Sequence, residues 1–255
     1  MGVSAHRTDE RIHFLHISGG CPFGSNLAPI PAVISVHDHG TYERDGGDVR
    51  LDWQVRDRIL EIFAFVGAVE TGSDEAQALI SLAHEKTPDT LAHARRVARY
   101  CLSVTREMCL RPELVDAIEQ AALFHDIGKL AIPESVLLKP ARLTLGEMAV
   151  MRRHAMLGAE ILRTTRTLRQ LAPMVVASHE WFGGGGYPLG LSGRSIPLGS
   201  RIIAVADAYD AMTHVSRRYR PPISPDAALA ELVRNAPKQF DPYVCKAFIA
   251  VLGRH

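Results

Sequence analysis

Hydrophobic positions recur at three-to-four spacing along most of this chain, which is helical periodicity. Leu51, Val55, Ile59, Ile62, Phe63 and Val66 form the first such run, and Gly72–Ser73 breaks it. Asp74–Glu85 reads as the next helix. Pro88 opens a second, at a position where a missing N–H is harmless, and Ala94, Val97, Ala98, Cys101, Leu102, Thr105 and Met108 share one of its faces. Pro112 opens a third, running to about His125 and stopping near Gly128. Thr144-Leu-Gly-Glu147 is a capping box that starts a fourth, which carries His154. Leu168–Glu180 predicts a fifth and Ser200–Thr213 a sixth. Ser224-Pro225-Asp226 and Asp241-Pro242 start a seventh and an eighth. Strand patterning is nearly absent. The expectation is an all-α domain over residues 74–255, a connecting amphipathic helix over 51–73, and a short, poorly ordered extension over 1–50.

Composition narrows the function. Lys+Arg number 29 against 28 Asp+Glu, so the basic excess of a nucleic-acid-binding surface is missing and no nucleic-acid polymer is expected as partner. A hydrophobic content of 47% argues against a mostly disordered chain. Cys21, Cys101, Cys109 and Cys245 lack CxxC pairing and suit neither a disulfide framework nor a thiolate zinc site. The first residues carry no apolar signal core, and no apolar run approaches the roughly 18 residues that span a bilayer. A soluble cytoplasmic protein with no membrane association is the expectation. Twelve His is a high count; five of them (His6, His13, His16, His37, His39) fall in the extension.

The other informative positions are polar residues that interrupt apolar faces, because burying them without a partner is costly. Asp89 and His93 are four apart on one helix and point the same way. His125-Asp126 follows Ala121-Ala122-Leu123-Phe124, and His154 lies one turn before Gly158. His179-Glu180 follows Met174-Val175-Val176-Ala177, and Asp207 follows Ile202-Ile203-Ala204-Val205-Ala206. Taken singly, each reads as a hydrogen-bonded core residue. Together, four His and two or three Asp on different helices can converge in a bundle. Carboxylate oxygens with neutral imidazoles suit a divalent transition metal such as Mn, Fe, Co, Ni or Zn. A shared Asp can bridge two ions about 3.5–4 Å apart, which stabilises both oxygens of an in-line displacement at phosphorus.

His125-Asp126-Ile127-Gly128-Lys129 resembles the HD motif of the HD superfamily of metal-dependent phosphohydrolases. Gly186-Tyr187-Pro188 follows His179-Glu180 at the spacing of the HD-GYP subfamily. His93 with Arg96-Val97, His154 with Gly158, Ile196-Pro197, Arg201 through Asp207, Asp210-Ala211-Met212-Thr213 and Phe240-Asp241-Pro242 extend the resemblance over about residues 75–250. It implies an HD-superfamily helical bundle that hydrolyses cyclic di-GMP, or a related cyclic dinucleotide, to pGpG and/or GMP. It implies two divalent ions, Fe or Mn foremost and Co, Ni or Zn otherwise. His93, His125, Asp126 and Asp207 would hold one ion. Asp126 would bridge to the second, held also by His154 and His179, and Asp89 is the candidate for a third. Lys129 matches the lysine that meets the scissile phosphate, so Lys129 and Asp126 are the catalytic candidates. Gly186, Tyr187, Pro188, Arg217 and Arg220 match substrate-binding positions. Asp210 would order the site from behind a ligand.

Three departures stand against this pattern. Ser178 occupies the place of the first His of an adjacent pair, so the second ion loses an imidazole. Gly183 replaces an Asp or Asn. Arg217-Arg-Tyr-Arg220 replaces Arg-Pro-Tyr-Arg, one residue further from Thr213 than usual. Two rival readings follow. One is a catalytically degenerate module that binds a dinucleotide or a protein partner. The other is an HD hydrolase of another phosphate ester. The resemblance also implies contact with diguanylate cyclase domains. The helix over 51–71 reads as padding, with homodimerisation as its alternative use.

Overall fold

The computed structural model describes residues 61–62, 72–214 and 221–253. The expectations for residues 1–50, for most of the helix over 51–71 and for Arg217 and Arg220 lie outside the described residues. All regular structure among the described residues is helical. In chain order α1 spans Gly72–Lys86, α2 Pro88–Glu107 and α3 Pro112–Phe124. A short 3-10 turn, Ile127–Ala131, leads to α4 (Glu134–Leu137), α5 (Leu145–Arg152) and α6 (His154–Arg163). Then come a 3-10 turn at Arg169–Leu171, α7 (Ala172–Val176), a 3-10 turn at Gly193–Ser195, α8 (Leu198–Thr213), α9 (Pro225–Asn235) and α10 (Pro242–Leu252).

Local chemistry sets most helix starts. Proline occupies the first turn of α2, α3, α9 and α10, where its fixed φ favours the helix. Ser224 Oγ accepts from the Ala227 amide at 3.2 Å, and Asp241 Oδ1 accepts from the Tyr243 amide at 2.8 Å. The Thr144–Glu147 capping box is present in both directions.

Two predicted helices differ in the structure. The fourth is split at Arg153 into α5 and α6, and His154 is the first residue of α6. At that break His154 Nδ1 takes the Met151 carbonyl at 2.8 Å. The fifth is much shorter than Leu168–Glu180: α7 ends at Val176. Beyond it the chain closes tight i→i+3 bonds, Ser178 N to Val175 O and Glu180 N to Ala177 O, each 3.2 Å. The Ser178 hydroxyl also donates to the Val175 carbonyl at 2.8 Å and competes with the helical ladder. His179 and Glu180 therefore stand past the helix end.

The core is formed where α2 packs against α3, α8 and α10, and where α6 packs against α7 and the Ile127–Ala131 turn. Leu79, Val97, Cys101, Val104, Ile118, Ile161, Leu171, Ile202, Ile203 and Phe248 are almost wholly buried there. At Gly128 the turn lies directly against the backbone of α6. A Cβ on Gly128 would stand 2.0 Å from the His154 carbonyl oxygen and 2.4 Å from the Gly158 nitrogen. That approach places the residues around Asp126 against the first turn of α6. No helix of the described residues is long and apolar enough to cross a membrane.

Candidate metal centre

Five segments deliver polar side chains to one point. His93 comes from α2 and His125 and Asp126 from the turn after α3. His154 starts α6, His179 follows α7, and Asp207 lies on α8. Their side-chain atoms form two groups, His93–His125–Asp207 and Asp126–His154–His179, and within each group the donor atoms lie within 4.8 Å of one another. Asp126 links them. Its Oδ1 is 3.3 Å from His154 Nε2, and its Oδ2 is 3.5 Å from His125 Nε2 and 4.0 Å from His93 Nε2. Lys129 Nζ donates to the same Oδ2 at 2.5 Å.

The ring orientations follow from hydrogen bonds on the far side of each imidazole. His125 Nδ1 lies 2.7 Å from the Ala122 carbonyl, and His154 Nδ1 lies 2.8 Å from the Met151 carbonyl. A carbonyl only accepts, so both Nδ1 atoms carry the proton and both Nε2 lone pairs face the cluster. His93 Nδ1 donates to Asp210 Oδ2 at 2.6 Å, and Asp210 is held by Arg96 at 2.7 and 2.9 Å. This leaves His93 Nε2 aimed at Asp207 Oδ1, 3.0 Å away.

The electrostatics favour a cation in this space. Burial opposes charge on His93, yet its hydrogen bonds to Asp207 and Asp210 outweigh it and raise its pKa to about 9. Burial opposes ionisation of Asp126 as well, but Lys129, His125 and His154 hold its pKa well below the usual carboxylate range. Asp207 is likewise lowered, against its burial, by His93. Burial, with His179 beside it, lowers His154 to about 3, and burial also lowers His179. Those two rings are neutral near pH 7. Their Nε2 atoms nevertheless face each other at 2.8 Å. His125 Nε2 is buried with no hydrogen-bond partner. Bare imidazole nitrogens converging on ionised carboxylates are the donor set of a divalent transition metal. The residues present therefore fit metal ions.

Around the mouth, Tyr187 stacks on His179 with ring centroids 5.1 Å apart and planes 12° from parallel. Its amide donates to the His179 carbonyl at 3.2 Å. Glu180 is buried, burial raises its pKa, and its Oε1 accepts from the amides of Leu189 and Gly190 at 2.6 and 3.0 Å. A Cβ on Gly186 would meet the Trp181 nitrogen at 2.3 Å and Glu180 Cα at 2.5 Å, so only glycine lets this loop fold back on itself. Pro188 is exposed at the rim. Gly183 lies against another strand of chain, its amide donating to the Lys238 carbonyl at 2.9 Å.

The structure thus brings together His93, His125, Asp126, Lys129, His154, His179, Asp207 and Tyr187. Asp89 is exposed one turn before His93 and belongs to neither group. Ser178 is buried with its hydroxyl committed to the Val175 carbonyl. Sequence reasoning did not find the carbonyls of Ala122 and Met151, because backbone atoms leave no mark on residue identity. It also did not single out Arg152, whose guanidinium carbon lies 5.1 Å from the Tyr187 ring centroid.

Asp210 gives a direct test of the orienting bonds. Asp210→Asn leaves His93 with an amide partner that no longer fixes its tautomer. Affinity for Mn(II), measured by titration calorimetry, is expected to fall about 10–100-fold. An unchanged affinity would show that His93 needs no such partner.

Known proteins resemble this chain over the same region. The family model described as HD domain matches residues 77–244. The Xanthomonas campestris cyclic di-GMP phosphodiesterase response regulator RpfG is 39% identical over 191 residues, 74% of this chain and 50% of that protein. A Thermotoga maritima cyclic di-GMP phosphodiesterase is 39% identical over 171 residues, 66% of this chain and 46% of that protein. The Vibrio cholerae 3'3'-cGAMP-specific phosphodiesterase 2 is 37% identical over 175 residues, 68% of this chain and 33% of that protein. The chain spans half or less of the length of these relatives. Among solved structures, Bd1817, a HDG"Y"P protein from Bdellovibrio bacteriovorus, shares the fold with a TM-score of 0.55 at 15% identity, over 78% of this chain and 69% of that one.

Proposed function

The chain belongs to the HD domain family, and from that premise we propose that it is a metal-dependent phosphodiesterase that opens cyclic di-GMP to pGpG and/or GMP. The observation that supports this reading most is the pair of His/Asp groups joined at Asp126, with the Lys129 ammonium bonded to the same carboxylate. In the proposal, His93, His125 and Asp207 hold one ion with Asp126, and Asp126, His154 and His179 hold the other. Fe or Mn suits this mixture of imidazole and carboxylate, with Co, Ni or Zn as substitutes. When bound, divalent ions supply activation of water and neutralisation of phosphoryl charge.

The chain's own residues do the rest. Asp210, Ala122 and Met151 hold three imidazoles in fixed orientation. Burial of His125, Asp126 and His154 keeps bulk water from weakening the field at the phosphate. Lys129 is part-exposed and close enough to offer its ammonium to a non-bridging oxygen of the scissile phosphate as negative charge develops. Gly186, Tyr187 and Pro188 form the rim against which the dinucleotide lies. Arg217 and Arg220 belong to the proposal on their sequence pattern alone.

The test is purified protein loaded with Mn or Fe and supplied with cyclic di-GMP, with products separated by chromatography. Accumulation of pGpG or GMP is the expected result. Absence of both, with two ions per chain confirmed, would sink the reading and favour a module that binds without turnover. The likeness to a 3'3'-cGAMP-specific relative motivates running that dinucleotide in parallel. Ser178→His tests the missing imidazole: occupancy of the second ion should rise.

A further inference from the structure

The last residue of α5 is an exposed arginine that none of the roles above uses. Arg152 lies two residues before His154, with its guanidinium over the face of Tyr187 at 5.1 Å from the centroid. Tyr187 stacks in turn on His179. A cation, a phenol ring and an imidazole therefore form one column. Its inner end is the Asp126–His154–His179 group and its outer end is in solvent. The ring face attracts the guanidinium and keeps a long, otherwise free side chain at the mouth of the site.

Two other arginines pair with a carboxylate one helical turn away, the partly exposed Arg163 with Glu160 and the exposed Arg234 with Glu231. Among the described residues the Arg152 side chain has no carboxylate partner and no hydrogen bond; its contact is the Tyr187 ring.

We propose that Arg152 is a substrate-binding residue that receives the non-scissile phosphate of a cyclic dinucleotide; this rests on the phosphodiesterase reading. A cyclic dinucleotide carries two phosphodiesters on opposite sides of one ring. With one at Asp126 and Lys129, the other is held away from the buried cluster, toward the solvent end of the column. A guanidinium fork matches two phosphate oxygens at once, which a lysine does not. Tyr187 is the shelf that positions the fork and also the wall beside His179.

The experiment compares cyclic di-GMP with bis(p-nitrophenyl) phosphate, which has a single phosphodiester. The Mn-loaded wild type, R152Q and R152K are assayed on both, and cyclic di-GMP binding is measured by calorimetry. The ratio of the KM for cyclic di-GMP to that for bis(p-nitrophenyl) phosphate should rise about tenfold in R152Q, and less in R152K. Calorimetric affinity for cyclic di-GMP should fall by a similar factor. An unchanged ratio with unchanged affinity overturns the proposal. So does equal weakening toward both substrates, which would assign Arg152 to bracing Tyr187. A wild type that binds cyclic di-GMP without cleaving it sinks the phosphodiesterase reading instead, and the calorimetric comparison still decides the role of Arg152. A wild type that does not bind it overturns both.

Discussion

Asp126→Asn is expected to reduce cyclic di-GMP turnover by on the order of a thousandfold. Asp126 links the two groups of the candidate centre. It sits 3.3 Å from His154 Nε2, 3.5 Å from His125 Nε2 and 2.5 Å from Lys129 Nζ. Asparagine keeps the shape, removes the negative charge and turns an N–H₂ donor toward groups that must accept a cation. At least one ion per chain should be lost, which elemental analysis of the purified variant reads directly. The fold should survive, because Lys129 is 25% exposed at its side chain and can turn to water once its partner is gone. Circular dichroism checks that point. A variant that retains two ions and more than a tenth of the wild-type rate would remove Asp126 from the centre of the proposal.

Gly128→Ala is expected to destabilise the fold by about 3 kcal/mol or more, at the upper end for overpacked positions. The added methyl would stand 2.0 Å from the His154 carbonyl oxygen and 2.4 Å from the Gly158 nitrogen. Both are backbone atoms of α6, so no side chain can swing aside. Relief requires the Ile127–Ala131 turn to move off α6, which carries Asp126 away from His154 and splits the site. Thermal or denaturant unfolding measures the loss, and metal content should fall with it. Gly146→Ala is the matching control. Gly146 lies on the exposed face of α5 with nothing within 4 Å of its would-be Cβ. There alanine should stabilise by roughly 0.5–1 kcal/mol through helix propensity. Equal, small effects at the two glycines would contradict the close packing of the turn on α6.

The contrast between these glycines shows where sequence reading succeeds and where it stops. Helix starts were legible because their causes lie within three or four residues: Pro88, Pro112, the Thr144–Glu147 box, Ser224-Pro225 and Asp241-Pro242 each act on their own first turn. The break before His154 and the early end of α7 were not. Each depends on a carbonyl shared with a side chain, Met151 with the His154 ring and Val175 with the Ser178 hydroxyl. Helical periodicity in the sequence continues across both places without a mark.

The candidate site divides the same way. The types and order of His93, His125-Asp126, His154, His179 and Asp207 determined that this chain carries an imidazole–carboxylate donor set on an all-α scaffold. They also determined that one expected imidazole is a serine at position 178. Which donors meet was decided by tertiary packing. His93 finds Asp210 across 117 residues, and His154 finds His179 across 25. Asp89, one turn from His93 and of suitable chemistry, was left out of both groups. Arg152 was brought to the mouth only because the loop after His179 folds its tyrosine back toward the end of α5. Residue identity specifies the chemistry available to each segment. The approach of segments distant in the chain is set by burial and close packing summed over the whole core, and no short stretch of sequence contains that sum.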